Sequence, residues 1–306
     1  MLRQVGVRVG QLMITMVGIT TIMFLLMRLS GDPSTLFITE AHTAEQQAEI
    51  RRTLGLDESL PVQYGSFIRR AAIGDFGMSL RLRRPALDVV LERLGPTLTL
   101  AAAGLLISLL VGIPLGRLAA THQGRAPDQL SMAIAVVLQG IPTFLLAILL
   151  IWVFAVELRL LPVGGRGSLA HLILPAITLA AYSLARFARL TRSSLLDVLH
   201  QDYIRTARSK GLSERVIERR HALRNAGLPI VTAAGLTFAQ FISSAVVTET
   251  VFSWPGVGSL MIQAVGQRDY PVVQACVFVV AFLVVMVNLL TNISYVFLDP
   301  RTRRAA

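Results

Sequence analysis

An all-α integral membrane protein is the fold class this sequence predicts, on three observations. Charged residues make up 15% of it and apolar residues 54%, whereas a soluble domain carries about 25% charged residues. The apolar residues fall in blocks, and six of these have the roughly 20-residue length that crosses a bilayer: 9–27, 97–119, 130–156, 172–190, 228–248 and 272–297. The basic residues lie mainly between the blocks. The net charge of +11 is therefore a property of loops. With no base-stacking aromatics beside it, it does not point to nucleic acid. Cys276 is the single cysteine, so an intramolecular disulfide is excluded.

The first block, Val9 to Met27, is longer than the 7–15 apolar residues of a signal peptide. No small-x-small cleavage site follows, so it reads as an uncleaved helix. The N-terminal helical region is assigned to 1–29 and a segment outside the membrane to 30–95. In that segment Thr43 to Leu54 reads as a short helix, with Thr43 as N-cap, Gln46 three residues on and Gly55 at its end. Leu56–Pro61 and Gly74–Gly77 read as turns. The segment is too small for a large core of its own and is expected to pack as a cap on the helix ends. A membrane core of five helices follows over 96–298, with a tail at 299–306. Gly112-Ile-Pro-Leu-Gly116 in the second span and Gln139-Gly-Ile-Pro142 in the third place prolines where they bend helices. The same glycines also suit close helix packing. The fourth span is the weakest, because Arg186 and Arg189 fall near its end.

Orientation follows from basic residues in short loops. With both termini inside, Arg3, Arg8, Arg117, Arg125, the ten basic residues from Arg186 to Arg224, and Arg301, Arg303 and Arg304 all face the cytoplasm. The short outer loops then hold only Arg159, Arg166 and Arg268. The 30–95 segment then lies on the outer side.

No Asp, Glu or Lys lies deep in any block. The polar groups at membrane depth are Gln139, Gln240, Asn288 and Asn292, which interhelical hydrogen bonding accounts for. Gradient-driven carriers keep acids in the membrane, so an energy source elsewhere is expected. The chain has no G-x-x-x-x-G-K-[ST] loop, no H-E-x-x-H, no G-x-S-x-G and no metal spacing among its five histidines. What remains is the inner loop, 191–227. Leu195 to Lys210 reads as a helix stopped by Gly211. Ser213 caps a second helix with Glu214 in its first turn. This helix runs through Asn225-Ala226, Gly227 ends it, and Pro229 opens the fifth span. The product is either a compact cytoplasmic knob or an amphipathic hairpin lying on anionic lipid.

Tyr203-Ile-Arg-Thr-Ala-Arg-Ser-Lys-Gly-Leu-Ser-Glu-Arg215, continued by Arg220-His-Ala-Leu-Arg-Asn-Ala-Gly-Leu-Pro229, resembles the "EAA" loop of bacterial ABC importer permeases. The similarity is to the first permease of the dipeptide, oligopeptide and nickel branch. With Gly211 on the motif glycine, Arg205-Thr206-Ala207 occupy the E-A-A positions and only Ala207 matches the generic wording. Further likeness lies in Gly31-Asp-Pro33, Leu54-Gly-Leu-Asp57, Pro61-Val-Gln-Tyr64, Gly74-Asp-Phe-Gly-Met-Ser79, Pro96-Thr-Leu-Thr-Leu100, Glu249-Thr-Val-Phe-Ser-Trp-Pro-Gly-Val-Gly258 and Leu298-Asp-Pro-Arg301.

The resemblance implies the ABC importer transmembrane-domain fold in the bacterial inner membrane. It also implies a homologous second permease, two cytoplasmic ATP-binding subunits that hold ATP and Mg, and a periplasmic solute-binding protein. This chain would bind no cofactor itself. Arg205, Thr206, Ala207, Arg208, Lys210, Gly211, Leu212, Ser213 and Glu214 would form the ATPase-coupling element. Gln139, Pro142, Gln240, Ser243, Ser244 and Asn288 are the pathway candidates. The Glu249–Gly258 loop, with Glu249, Phe252, Trp254 and Pro255, would be an outer gate or binding-protein contact. The expected cargo is peptide-like. The competing readings are a nickel-chelate permease of the same family, an ion-gradient-driven secondary transporter, and a receptor or scaffold that docks a cytoplasmic partner.

Overall fold

The computed structural model describes residues 2–29, 43, 45 and 57–298. Among these, every regular element is helical, apart from one isolated antiparallel bridge between Met78 and Pro85. The chain divides into two compact units, Met1–Leu94 with Leu260–Phe282, and Gly95–Ser259 with Leu283–Ala306.

In the first unit α1 spans Leu2–Leu29 and α2 spans Leu60–Ala72. The Thr43–Leu54 helix expected from the sequence lies outside the described residues. The turn expected over Leu56–Pro61 is corrected at its end, because Pro61 sits in the first turn of α2. Proline's missing N–H costs nothing there, and its fixed φ suits helix entry. Tyr64 ties α2 to α1, its hydroxyl sharing a 2.6 Å hydrogen bond with Thr21 Oγ1. The Phe24 ring packs edge-on to Tyr64 at 5.4 Å. Gly74 and Gly77 turn the chain at φ +77° and +85°, as the sequence predicts. Buried Asp269 accepts a hydrogen bond from Ser79 Oγ at 2.6 Å.

The second unit begins within α3 (Ala86–Thr121), which runs unbroken through Pro96 and Pro114. The packing reading of its glycines holds. A Cβ on Gly112 would stand 2.8 Å from Leu184 O, and one on Gly116 would strike Ala188 O. Then come α4 (Ala126–Gly140) and α5 (Thr143–Leu150), which continues as a π-helical turn over Ile151–Glu157. The two arms meet at a 100° bend. The sequence placed a kink at Pro142, and Pro142 occupies the N-cap of α5 in extended backbone (ψ 136°). α6 (Leu169–Leu199) is the central helix. It packs on α4, α5 and α9 (Leu223–Val251). Between α6 and α9 the chain makes α7 (Asp202–Ser209), the short α8 (Glu214–Val216) and a π-helical turn over Ile217–Ala222. α10 (Val257–Gly266) and α11 (Tyr270–Leu298) complete the order.

Among the described residues, four helices are long and apolar enough to cross a membrane: Ala86–Thr121, Leu169–Leu199, Arg220–Val251 and Tyr270–Thr291. The bent α4–α5 pair makes a fifth if it is one span. The first expected span is represented by a shorter apolar stretch, Gly10–Leu26.

Two expected boundaries change. Gly227 does not end a helix, and Pro229 does not open one, since α9 runs through both. Ala226 and Ile230 are buried on either side of Gly227-Leu-Pro229, so packing overrides the breaker signal. Helix α10 begins at Val257, inside the stretch expected as the Glu249–Gly258 loop.

Candidate functional site

The elbow between α6 and α9 is built by one buried face and one stop signal. Ile204 and Ala207 of α7 pack with Ile217 and Val198, so its apolar face is taken up by the chain's own helix ends. The hairpin-on-lipid alternative needs that face free and loses its basis. Gly211, at φ +76°, ends α7. Leu212 N–H donates to Ala207 O at 3.4 Å and Gly211 N–H to Arg208 O at 2.9 Å. This six-to-one and five-to-two pairing is the glycine-dependent Schellman stop. Across the turn, Arg208 forks onto Glu214, Nε to Oε1 at 2.8 Å and Nη2 to Oε2 at 3.3 Å. That bond holds the Glu214 carboxyl below the ordinary value for a glutamate, against a small desolvation effect. Asn225 Nδ2 donates to Tyr203 OH at 2.8 Å, tying α7 to α9.

Of the residues expected to couple, Arg205, Thr206, Lys210, Gly211, Leu212 and Ser213 lie together on the exposed side of the elbow. Ala207 is buried and is a packing residue, which corrects its expected place on the docking face. Arg208 and Glu214 are exposed but bonded to each other. Ser213 starts α8 in extended backbone without a side-chain cap bond. The π-helical turn and the break at His200–Gln201 have no counterpart in the sequence reading.

At the far end of α9 a second cluster forms. The sequence places Glu249 at the start of a loop, yet it lies in the last turn of α9 with none of its surface exposed. Its Oε1 accepts from Thr97 Oγ1 at 2.7 Å and its Oε2 from Ser259 N–H at 3.0 Å. Thr97 Oγ1 also accepts from Val257 N–H at 2.8 Å, and Trp254 Nε1 donates to Pro96 O at 3.0 Å. A carboxylate set on the first amides of α10 is favoured by the helix dipole. Gly256 is required there, because a Cβ would run into the Glu249 carboxylate. Phe252 and Trp254 are buried and Pro255 half-buried. These side chains brace the turn and are not presented to a binding protein in this chain. Thr97 and Ser259 escaped the sequence reading, since Thr97 lies 152 residues from Glu249.

The pathway candidates divide. Gln240 and Ser244 share one exposed face of α9, with exposed Ser243 beside them. Ser243 Oγ donates locally to Gln240 O at 3.0 Å. Gln139 is half-buried near the end of α4, and Pro142 is exposed at the bend. Asn288 on α11 has a buried Oδ1 with no hydrogen-bond partner among the described residues. No group of His, Cys, Asp or Glu that could hold a metal ion occurs among the described residues.

A family model described as "Binding-protein-dependent transport system inner membrane component" matches residues 112–304. The chain belongs to this family. The family's N-terminal membrane-component model matches residues 1–101. This permease is 41% identical over 304 residues, 99% of each chain, to the glutathione transport system permease protein GsiC of Escherichia coli K12. It is 40% identical to the probable peptide ABC transporter permease protein y4tP of Sinorhizobium fredii over 297 residues, 94% of each. Among solved structures it is similar to an inward-facing conformation of the MetNI methionine ABC transporter. The TM-score is 0.59 at 19% identity, over 69% of this chain and 96% of that one, and that likeness shows the fold.

The permease is thus a subunit of a binding-protein-dependent ABC importer, a multi-pass component of the inner membrane. Within it, the exposed residues Arg205, Thr206, Lys210, Gly211, Leu212 and Ser213 lie together on the elbow that precedes α9, and Glu249 forms a sealed brace in the last turn of α9.

Proposed function

We propose that the permease forms half of a solute pathway and is driven through its elbow by ATPase subunits on the cytoplasmic side. Its cargo is peptide-like, a reading supported by the names of its glutathione and peptide relatives. The proposed assembly holds a second permease, two ATP-binding chains that bind Mg-ATP, and a periplasmic solute-binding protein. α1 is the first of six spans, both termini are cytoplasmic, and the 30–95 segment is periplasmic. Basic residues concentrated at the elbow support that orientation.

One observation carries the mechanism. The elbow's apolar face is closed on Val198 and Ile217 while Arg205, Lys210, Gly211 and Leu212 are exposed at its tip. A knob closed on itself with a cationic tip suits a cleft in another protein. Attached at both ends to membrane helices, it converts rigid-body displacement into helix tilting. Glu249 argues against a proton-driven carrier, because Thr97 and Ser259 already occupy its oxygens and seal it from water.

The test is co-purification followed by reconstitution. The permease should elute with a sister permease and two ATPases, and should take up labelled glutathione only with ATP and a binding protein. Uptake by this chain alone under an ion gradient would refute the reading.

A further inference from the structure

An open cleft of about 760 Å³ lies over the middle helix of the second unit, walled by α4, α6 and α9. Its size falls within the roughly 300–1,000 Å³ of small-molecule sites. The wall is mostly apolar, with Met132, Leu190, Leu228 and Leu236, but α6 sends in Arg186, Arg189 and Arg192. Arg192 is neutralised. Its Nε and Nη2 donate to the two carboxylate oxygens of Asp128 at 2.6 and 2.8 Å, and Gly124 N–H donates to the same carboxylate at 2.9 Å. Arg186 and Arg189 have no acidic partner among the described residues. They are half-buried and one helical turn apart.

Unpaired guanidiniums on a membrane helix face protein interior or water, and they mark a path for ions or substrate. The surface leading to them supports this. On α9 the cleft's Leu236 is followed, turn by turn, by Gln240 and then Ser243 and Ser244. All four are exposed. On α4 Met132 is followed by exposed Val136 and half-buried Gln139. The strip therefore runs from uncharged polar groups to two free cations at the end nearest the elbow.

We propose that this cleft is an anion site that receives a carboxylate of the transported solute where the pathway meets the cytoplasm. The inference rests on the permease reading above and adds a substrate class, solutes bearing at least one free carboxylate. Two guanidinium forks on successive turns match carboxylate geometry. The apolar floor formed by Leu228 and Leu236 takes the uncharged body of the solute. An inner-leaflet lipid phosphate offers similar charge, and an acid of a neighbouring chain could also seat there. The depth of Arg186, six residues or about 9 Å along α6 from Arg192, and the polar strip beyond it favour the solute.

The test needs no known substrate. In the assembled importer carrying Cys276→Ala, which removes the chain's only thiol, Ser193→Cys places a thiol on the cleft wall. Thr232→Cys is the substitute if the first variant assembles poorly. In phosphatidylcholine vesicles, a sulfonate-bearing methanethiosulfonate should modify it roughly tenfold faster than an ammonium-bearing one, relative to free cysteine. That is the low end of the enrichment charged clefts give. Arg186→Ala with Arg189→Ala should abolish the preference, and the paired Lys substitutions should keep most of it. No reaction with either reagent would mean that another chain covers the cleft. Reaction lost on adding phosphatidylglycerol would assign it to lipid. Reaction without charge preference would mean no anion site. Each of these overturns the proposal. In the same vesicles the double Ala variant should lower labelled glutathione uptake several-fold, and the paired Lys substitutions should restore most of it. If the unsubstituted importer takes up no glutathione, the peptide-cargo reading fails, and the thiol result still decides the site.

Discussion

Gly211 separates backbone strain from docking, because the two effects have different sizes there. Its φ of +76° is disfavoured for any residue with a Cβ, yet a Cβ built at that position meets nothing within 4 Å. Gly211→Ala therefore costs only the left-handed backbone, about 1–2 kcal/mol, less the ~0.4–1 kcal/mol gained by restricting the unfolded chain. The net is about 1 kcal/mol. Gly211→Trp adds a Cβ to the same backbone at an exposed position, so in the isolated permease it should cost about as much as Ala, and Gly211→Asn less, because Asn tolerates this conformation. In the importer the order changes. On the proposal that the tip seats in an ATPase, an indole there fills the space the partner needs, so Trp should abolish ATP-dependent uptake while Ala lowers it by a few fold. The assay pairs thermal unfolding of the detergent-solubilised permease with uptake and ATP hydrolysis in vesicles at matched expression. Normal uptake by Gly211→Trp, or a Trp loss no larger than the Ala loss, refutes docking at this tip.

Other outcomes follow from single bonds. The Arg208 fork lowers the Glu214 pKa, so its stabilisation of the turn is fully present above the ordinary glutamate range, about 4.3. It is lost as pH falls through the lower folded value. Protease cleavage of the elbow should therefore be flat from neutral pH to about 5 and rise below about 4, and Glu214→Gln should cleave faster at neutral pH and lose that acid dependence. Thr97→Val removes a donor to buried Glu249 and an acceptor for Val257 N–H. It should destabilise the permease by about 1–3 kcal/mol, read as a lower thermal midpoint in detergent, with uptake falling only as far as folded protein does. Asp128→Asn weakens the fork with Arg192, costs about 2 kcal/mol, and adds a third free cation to the cleft. The sulfonate preference at Ser193→Cys should then increase.

The features legible in the sequence were those with local causes. Apolar run lengths marked the long helices, the Gln139–Pro142 stretch marked the 100° bend, and Gly211 marked the elbow's stop. What was hidden depended on partners distant in sequence. Glu249 reads as a loop acid because nothing near it announces that Thr97 and Ser259 will close on it. Pro61 reads as a turn residue because proline both ends segments and opens helices, and only the aromatic seat of Tyr64 against Phe24 selects the second role. Gly227-Leu-Pro229 reads as a helix end, but Ala226 and Ile230 bury on either side and carry α9 through it. Arg186 and Arg189 count in the sequence only as a weakness of the fourth span and as two of the ten basic residues that orient the chain. Their meaning lies in the missing acid partner, which requires three helices to be in place.

The elbow and the cationic cleft share two helices, and this bears on how an anion leaves. α6 ends at Leu199, six residues past Ser193, and α9 begins at Leu223, five before Leu228. At the elbow's base Leu195, Ala222, Ala226 and Ala120 are packed and buried, so the tip cannot shift without moving both helix ends. Small residues at such a seam let helices occupy discrete close-packed positions. A site held by two guanidinium forks would retain its anion if its walls were fixed. Walls that are the arms of a driven elbow can instead be drawn apart once per nucleotide cycle, so that tight capture and prompt release do not conflict. Spin labels at Ser193 and Thr232, on opposite walls, should change separation between the nucleotide-free and ATP-bound importer, and Gly211→Trp should abolish the change. An invariant separation in an importer that still transports would show that the elbow drives some other part of the permease.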